Sequence, residues 1–205
     1  ILRNTLKMED MIAENVTIMD RYDPEKKVAL SIDEWGVWLR PESEPFLFLR
    51  QQNSMRDAVA AALNFNIFVR HADRVRIANI AQMVNVIQAM ILTEGDKMVL
   101  TPTYHVHKLY VPFQDATALP VALDRGTWRS GDVELPRLDA VAARASDGTV
   151  WLALTNLDPA RPAEVRATIA GVKARAASGQ VLTASRIDSV NTFAAPAAVA
   201  PKAVR

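Results

Sequence analysis

Apolar side chains recur at helical spacing near the start of the chain. Met8, Met11, Ile12, Val16 and Met19 fall three or four positions apart, in steps or doubled steps, and predict an amphipathic helix over 2–20. No capping residue precedes it. DRYDPEKK, 20–27, is a polar connection, and residues 28–33, short and apolar with β-branched Val28 and Ile32, predict a strand. Pro41 and Pro45 predict a loop over 39–52. Ser54 followed by Asp57 resembles a capping box, and DAVAAALNFNIFV then runs as a buried helix. HAD, 71–73, breaks that helix. Val75, Ile77 and Ile80 supply the β-branching for a strand at 74–80, followed by a short helix or loop at 83–92. Gly95 and Asp96 make a turn, and a helix starting near Pro102 carries TYHVHKLY.

Helix, strand, helix, strand, helix is the order of an α/β architecture with parallel strands. The texture changes from about residue 120. RLDAVAARASDGTVWLALTNLD contains two apolar runs joined by SDG, a hairpin pattern, and Pro136, Pro159 and Pro162 mark turns. The expectation is therefore two domains: residues 1–119 as an α/β unit and residues 120–205 as a β-sandwich of short strands, lacking its last strands.

Composition narrows the class. Of 205 residues, 50% are hydrophobic, enough for a sizeable core. Lys plus Arg is 24 against 23 Asp plus Glu, so charge makes no case for nucleic acid or a membrane surface as partner. The absence of cysteine excludes disulfides and thiolate metal sites. No apolar run reaches the length of a membrane span. The chain begins with Ile1 inside a helical pattern and ends in the Ala/Pro-rich FAAPAAVAPKAVR, so it reads as a piece of something longer.

The chemistry concentrates in VALSIDEWGVW, 28–38. Strict strand alternation puts Val28, Leu30, Ile32 and Glu34 on one face and turns Asp33 the other way. In a barrel of parallel strands, catalytic groups sit at the carboxyl ends of the strands, where Glu34 falls. Trp35 and Trp38 offer flat apolar surface suited to the C–H faces of a sugar; read alone, they are equally ordinary core aromatics. His105 and His107 are two apart in the predicted helix and cannot jointly hold a metal. His71 reads as structural. Arg74 and Arg76 read as a buried ionic layer rather than a ligand site. No phosphate loop or nucleophilic serine elbow is present.

DEWGVW resembles the nucleophile motif of the α-L-arabinofuranosidases of glycoside hydrolase family 51. HADRVRIANIAQMVNVIQAMI, TPTYHVHKLY and RLDAVAARASDGTVWLALTNLDP are similar to later stretches of the same family, so the resemblance covers nearly the whole chain. It implies the C-terminal portion of a (β/α)8 TIM barrel followed by a jelly-roll-type β-sandwich. It makes 28–33 the seventh barrel strand with Glu34 as nucleophile and 74–80 the eighth. It matches Gln82 to a sugar-binding glutamine and Trp38 to an aromatic residue lining the arabinose pocket. Read alone, Gln82 is equally a loop or helix-start residue. A common variant of the motif has Asn at the place of Gly36, a change the family tolerates.

A retaining glycosidase needs a second carboxyl group as acid/base, which the family carries after an Asn; nothing here matches that Asn-Glu pair. The implied function is removal of terminal arabinofuranosyl groups from hemicellulose-derived substrates, without cofactor or metal, with the acid/base outside this chain and the chain inactive alone. Its implied partners are an arabinose-containing oligo- or polysaccharide, the preceding part of the barrel and further copies of the protein, with no nucleic acid and no membrane. Cytoplasm and periplasm both remain open. Two other readings stand: a barrel enzyme for another glycoside, and a non-catalytic carbohydrate-binding or interaction fragment using Trp35 and Trp38 as a sugar platform.

Overall fold

The central element is a helix with almost no exposed side. In the computed structural model, which describes residues 1–40, 49–172 and 176–204, helix α2 (Met55–Arg70) buries Asp57, Ala58, Ala60, Ala61, Leu63, Asn64, Asn66, Ile67 and Phe68. Apolar residues all round a helix mean burial all round, and the alanines let its neighbours approach closely. Helix α1 (Leu2–Tyr22), helix α3 (Pro102–Tyr110) and strand β2 (Val75–Ile80) contact it, as do β8 (Leu138–Arg144) and β9 (Val150–Asn156). Its start is the expected capping arrangement: the Ser54 backbone N–H donates to Asp57 Oδ2 at 2.7 Å. Its end is the expected break, with His71 as C-cap and its Nε2 2.5 Å from Glu9 Oε1.

Strand β1 (Leu30–Trp35) pairs with β2 in parallel, as the element order predicts. Residues 81–90 carry neither helix nor regular strand, so the loop alternative holds for 83–90, and they lead into an unanticipated hairpin of β3 (Ile91–Glu94) and β4 (Lys97–Leu100). Thr101 then caps α3, accepting from Tyr104 N at 3.4 Å, with Pro102 in the first turn. The loop expected at 39–52 falls largely on 41–48, outside the described residues.

From residue 117 onward the described residues form strands and turns without helix. Strand β5 (Thr117–Leu119) lies beside β8, and β8 pairs antiparallel with β9 over its full length around the SDG turn. A hairpin of β6 (Thr127–Ser130) and β7 (Val133–Pro136) and a distal pair, β10 (Gly179–Val181) with β11 (Lys202–Val204), complete the strands. The sheet shares its core with the helices: Val141, Ala153 and Leu157 join the cluster of Ile12, Trp35, Leu63, Ile67, Val75 and Tyr110. The Tyr110 hydroxyl donates to Asn66 Oδ1 at 2.5 Å, and Asn66 Nδ2 donates to Thr155 Oγ1 at 3.2 Å.

One ionic cluster crosses the same junction. Arg70 at the end of α2 donates from Nη1 to Asp139 Oδ1 at 2.8 Å and from Nη2 to Glu9 Oε2 at 2.6 Å. Asp139, on β8, is 0% exposed. Burial raises the Glu9 pKa, but the Arg70 guanidinium and the His71 ring outweigh it and hold the carboxyl below its usual range. A second cluster secures Arg74, which is buried against Asp20, Asp23 and the Val28 carbonyl. The ionic reading of Arg74 therefore holds, whereas Arg76 is exposed and no part of such a layer.

Arg70→Ala strands the buried Asp139 carboxylate without its close cation and should destabilise the complete protein by about 3–5 kcal/mol, measured by urea unfolding. A depressed carboxyl pKa contributes stability that is present above the unfolded-state pKa and lost as pH falls through the folded one. Glu9→Gln should thus flatten the acid limb of the stability profile while leaving its alkaline limb unchanged.

Candidate active site

The Glu34 carboxylate is placed by a miscount between two strands. Ile32 pairs with Ala78 and Trp35 with Ile80, so β1 advances three residues while β2 advances two. The extra residue is a bulge, and Asp33 and Glu34 together oppose Asn79. A second irregularity compensates: Leu30 pairs with Val75 and Ser31 with Ile77, which places the extra residue in β2.

The expected alternation fails for this reason. Leu30 and Ile32 pack against the helices, as do Ala78 and Ile80, and Trp35 lies in the same core. Glu34 does not share their face. It is exposed together with Asp33 on the side away from the helices. Asp33, expected to point away from Glu34, is its neighbour on that side. Its Oδ1 accepts from Ser31 Oγ at 2.7 Å and from Asn79 Nδ2 at 3.3 Å, which is the local hydrogen bonding anticipated for it.

The two tryptophans part company. Trp35 is 5% exposed and forms the floor beneath the strand end. Phe65 and Phe68 meet it edge-on, each at 5.3 Å between ring centroids, and His107 stacks on it at 5.7 Å and 13°. Burial pushes the His107 pKa down, against the Thr103 carbonyl 3.0 Å from Nδ1, so the stacked ring is neutral at neutral pH. Trp38 is 69% exposed. A joint platform of Trp35 and Trp38 is therefore not formed; only Trp38 offers a face to a ligand.

Gln82 follows the end of β2 and is exposed. The Ala81 N–H donates to the Trp35 carbonyl at 3.3 Å, so Glu34 and Gln82 stand one residue to either side of that bond. The peptide joining Ala81 to Gln82 is cis. Glu34, Gln82 and Trp38 thus all belong to the carboxyl-terminal edge of the parallel pair, where α/β folds bind ligands. Among the described residues no group of His, Asp and Glu is arranged to hold a metal.

Two buried glutamines escaped the sequence reading. Gln51 accepts from Leu39 N at 2.8 Å through Oε1 and donates to the Val37 carbonyl at 2.8 Å through Nε2. Gln88 accepts from Val37 N at 2.6 Å. The only signal available was a lone polar residue between Ile87 and Ala89. Gly36 also reads differently in place: its φ is +128°, and a Cβ there meets Gln88 Oε1 at 3.1 Å. An Asn at this position, tolerable on resemblance, is strained in this chain.

The chain is similar to known proteins over nearly its whole length. Residues 33–205 match the model of the α-L-arabinofuranosidase C-terminal domain. The intracellular exo-α-L-arabinofuranosidase of Bacteroides ovatus is 42% identical over 200 residues, which is 96% of this chain and 38% of that protein. The crystal structure of the family 51 arabinofuranosidase from Xanthomonas axonopodis pv. citri superposes with a TM-score of 0.97 at 56% identity, covering 100% of this chain and 42% of that one. A family 51 α-L-arabinofuranosidase from Bifidobacterium longum gives a TM-score of 0.80 at 26% identity, with 100% and 43% covered. The chain spans about two-fifths of the length of these relatives. No helix among the described residues is long and apolar enough to cross a membrane. The chain belongs to the α-L-arabinofuranosidases of glycoside hydrolase family 51 and corresponds to their C-terminal part.

Proposed function

We propose that this chain carries the nucleophile half of a retaining α-L-arabinofuranosidase that removes terminal arabinofuranosyl groups from hemicellulose-derived substrates. Glu34 is the nucleophile, and the acid/base is a glutamate outside these residues. β1 and β2 are the last two strands of a (β/α)8 barrel, and the antiparallel strands belong to a jelly-roll-type sandwich. The observation that carries this reading is the bulge at Asp33–Glu34. It accompanies a carboxylate that is exposed at the end of a parallel strand, while the neighbouring Trp35 is buried; Gln82 and Trp38, both exposed, follow the ends of the same two strands.

The chemistry follows from two carboxyl groups about 5–5.5 Å apart. The acid/base protonates the leaving oxygen while Glu34 attacks the anomeric carbon, giving a covalent arabinosyl-enzyme. The acid/base, now a carboxylate, takes a proton from water, which displaces Glu34 and restores the starting configuration. Trp38 offers its apolar face to the sugar ring. Gln82 both donates to and accepts from sugar hydroxyls. Asp33, restrained by Ser31 and Asn79, remains beside Glu34 without taking part in either transfer.

In the complete enzyme, Glu34→Ala should abolish turnover and leave the fold intact. Azide with an activated aryl arabinofuranoside should restore part of the activity and yield a product of inverted configuration. Near-normal turnover without azide overturns the assignment. Gln82→Ala should lower kcat/KM by an amount equivalent to about 1–3 kcal/mol, because a sugar hydroxyl loses its partner; unchanged kinetics remove Gln82 from the pocket. Residues 1–205 expressed alone should aggregate and fail to cleave an aryl arabinofuranoside, since Glu34 then faces no proton donor and the two parallel strands leave their edges unpaired. A monodisperse, fully active fragment overturns the two-carboxylate reading.

A further inference from the structure

Past the Trp35–Ile80 pair the parallel ladder stops. Among the described residues, the hydrogen bonds that hold the backbone of residues 36–39 then come from two side-chain amides, those of Gln51 and Gln88. Gln51 spans Trp38, taking the carbonyl on one side and the N–H on the other, as a neighbouring strand does. Gln88 acts closer to Glu34. It is 0% exposed, and its amide is used at both ends. Oε1 accepts from Val37 N at 2.6 Å, while Nε2 donates to the Asp57 carbonyl at 2.7 Å and to Thr103 Oγ1 at 3.0 Å.

Asp57 lies in the first turn of α2 and Thr103 in the first turn of α3. One side chain therefore refers the segment leaving β1 to the starts of two core helices. A buried amide is costly unless its hydrogen bonds are made, so Val37 N is held where it is as firmly as the helices are. The contact also admits no slack at Gly36, where φ is +128° and the position of a Cβ is 3.1 Å from Gln88 Oε1. Glu34 sits at the bulge, where ladder pairing no longer fixes its direction.

We propose that Gln88 is a positioning residue for the reaction: by fixing Val37 N and the backbone of Gly36, it sets the direction from which Glu34 meets the anomeric carbon. The inference rests on the reading of Glu34 as nucleophile. Gln88 touches no substrate, and its effect passes entirely through the backbone of residues 35–37.

The test is a pair of substitutions in the complete enzyme, each made alone and with Glu34→Ala. Gln88→Met keeps the length of the side chain and removes its hydrogen bonds. It should lower kcat roughly ten- to hundredfold, the cost of a small misplacement of a reacting group, with little change in KM. In the Glu34→Ala background with azide as nucleophile, the same substitution should cause no further loss, because the group being positioned is gone. Gln88→Glu provides a second readout. Its uncharged acid form reproduces both an acceptor for Val37 N and a donor for the Asp57 carbonyl, so its kcat relative to the unsubstituted enzyme should rise as pH falls. Unchanged kcat in Gln88→Met, a loss of equal size in both backgrounds, or a flat pH ratio for Gln88→Glu overturns the proposal. If Gln88→Met fails to fold, the pH ratio decides by itself. Turnover retained by Glu34→Ala without azide sinks the nucleophile reading and this one with it, whereas equal losses in both backgrounds sink only this one.

Discussion

The desolvation of α2 is the constraint on which the rest of the chain depends. A helix buried on nearly every side has no free choice of neighbours. α1 and the parallel strands must cover some of its surface, and α3 and the β8–β9 sheet the remainder. Two polar side chains that come inside with it are satisfied across those boundaries: Asn66 by Tyr110 and Thr155, and Arg70 by Asp139 and Glu9. An unpaired buried group costs more than a made bond returns, so these links fix registers between elements rather than simply adding stability. The aromatic layer of Phe65, Phe68 and Trp35 then transmits the position of α2 to the underside of the strand end that carries Glu34.

Much of this was legible from pattern. Helical spacing, the Ser54–Asp57 capping arrangement, the HAD break, Pro102 as a helix start and the SDG hairpin are local features, and each lies where local chemistry places it. The parallel pairing of β1 with β2 followed from element order alone. The β3–β4 hairpin was not legible, because its strands are only four residues long and follow a loop, Met83 to Ile87, whose apolar residues read equally as helix.

The site was legible as residues but not as geometry. DEW identified where a carboxylate ends an apolar strand. Period-two alternation then assigned Glu34 to the wrong face, since a bulge is a relation between two strands and leaves no mark on either alone. The same limit applies to Trp35, whose burial is decided by Phe65, Phe68 and His107, and to Gln88, whose partners lie in two helices. Residue identity declares what a side chain can do; which neighbour it meets is settled by chain segments far away in sequence.

The paired irregularities of β1 and β2 bear on how such a chain can change over time. Between Leu30 and Trp35 and between Val75 and Ile80 each strand spends the same number of residues, although the surplus falls at opposite ends. Length is thus conserved as a sum while phase is shifted in the middle. Replacing Ile32 by another apolar residue leaves that phase untouched. Losing one residue anywhere in SIDEW alters it, and brings Asp33 or Trp35 to the place of Glu34. In this short stretch, spelling is more forgiving than counting.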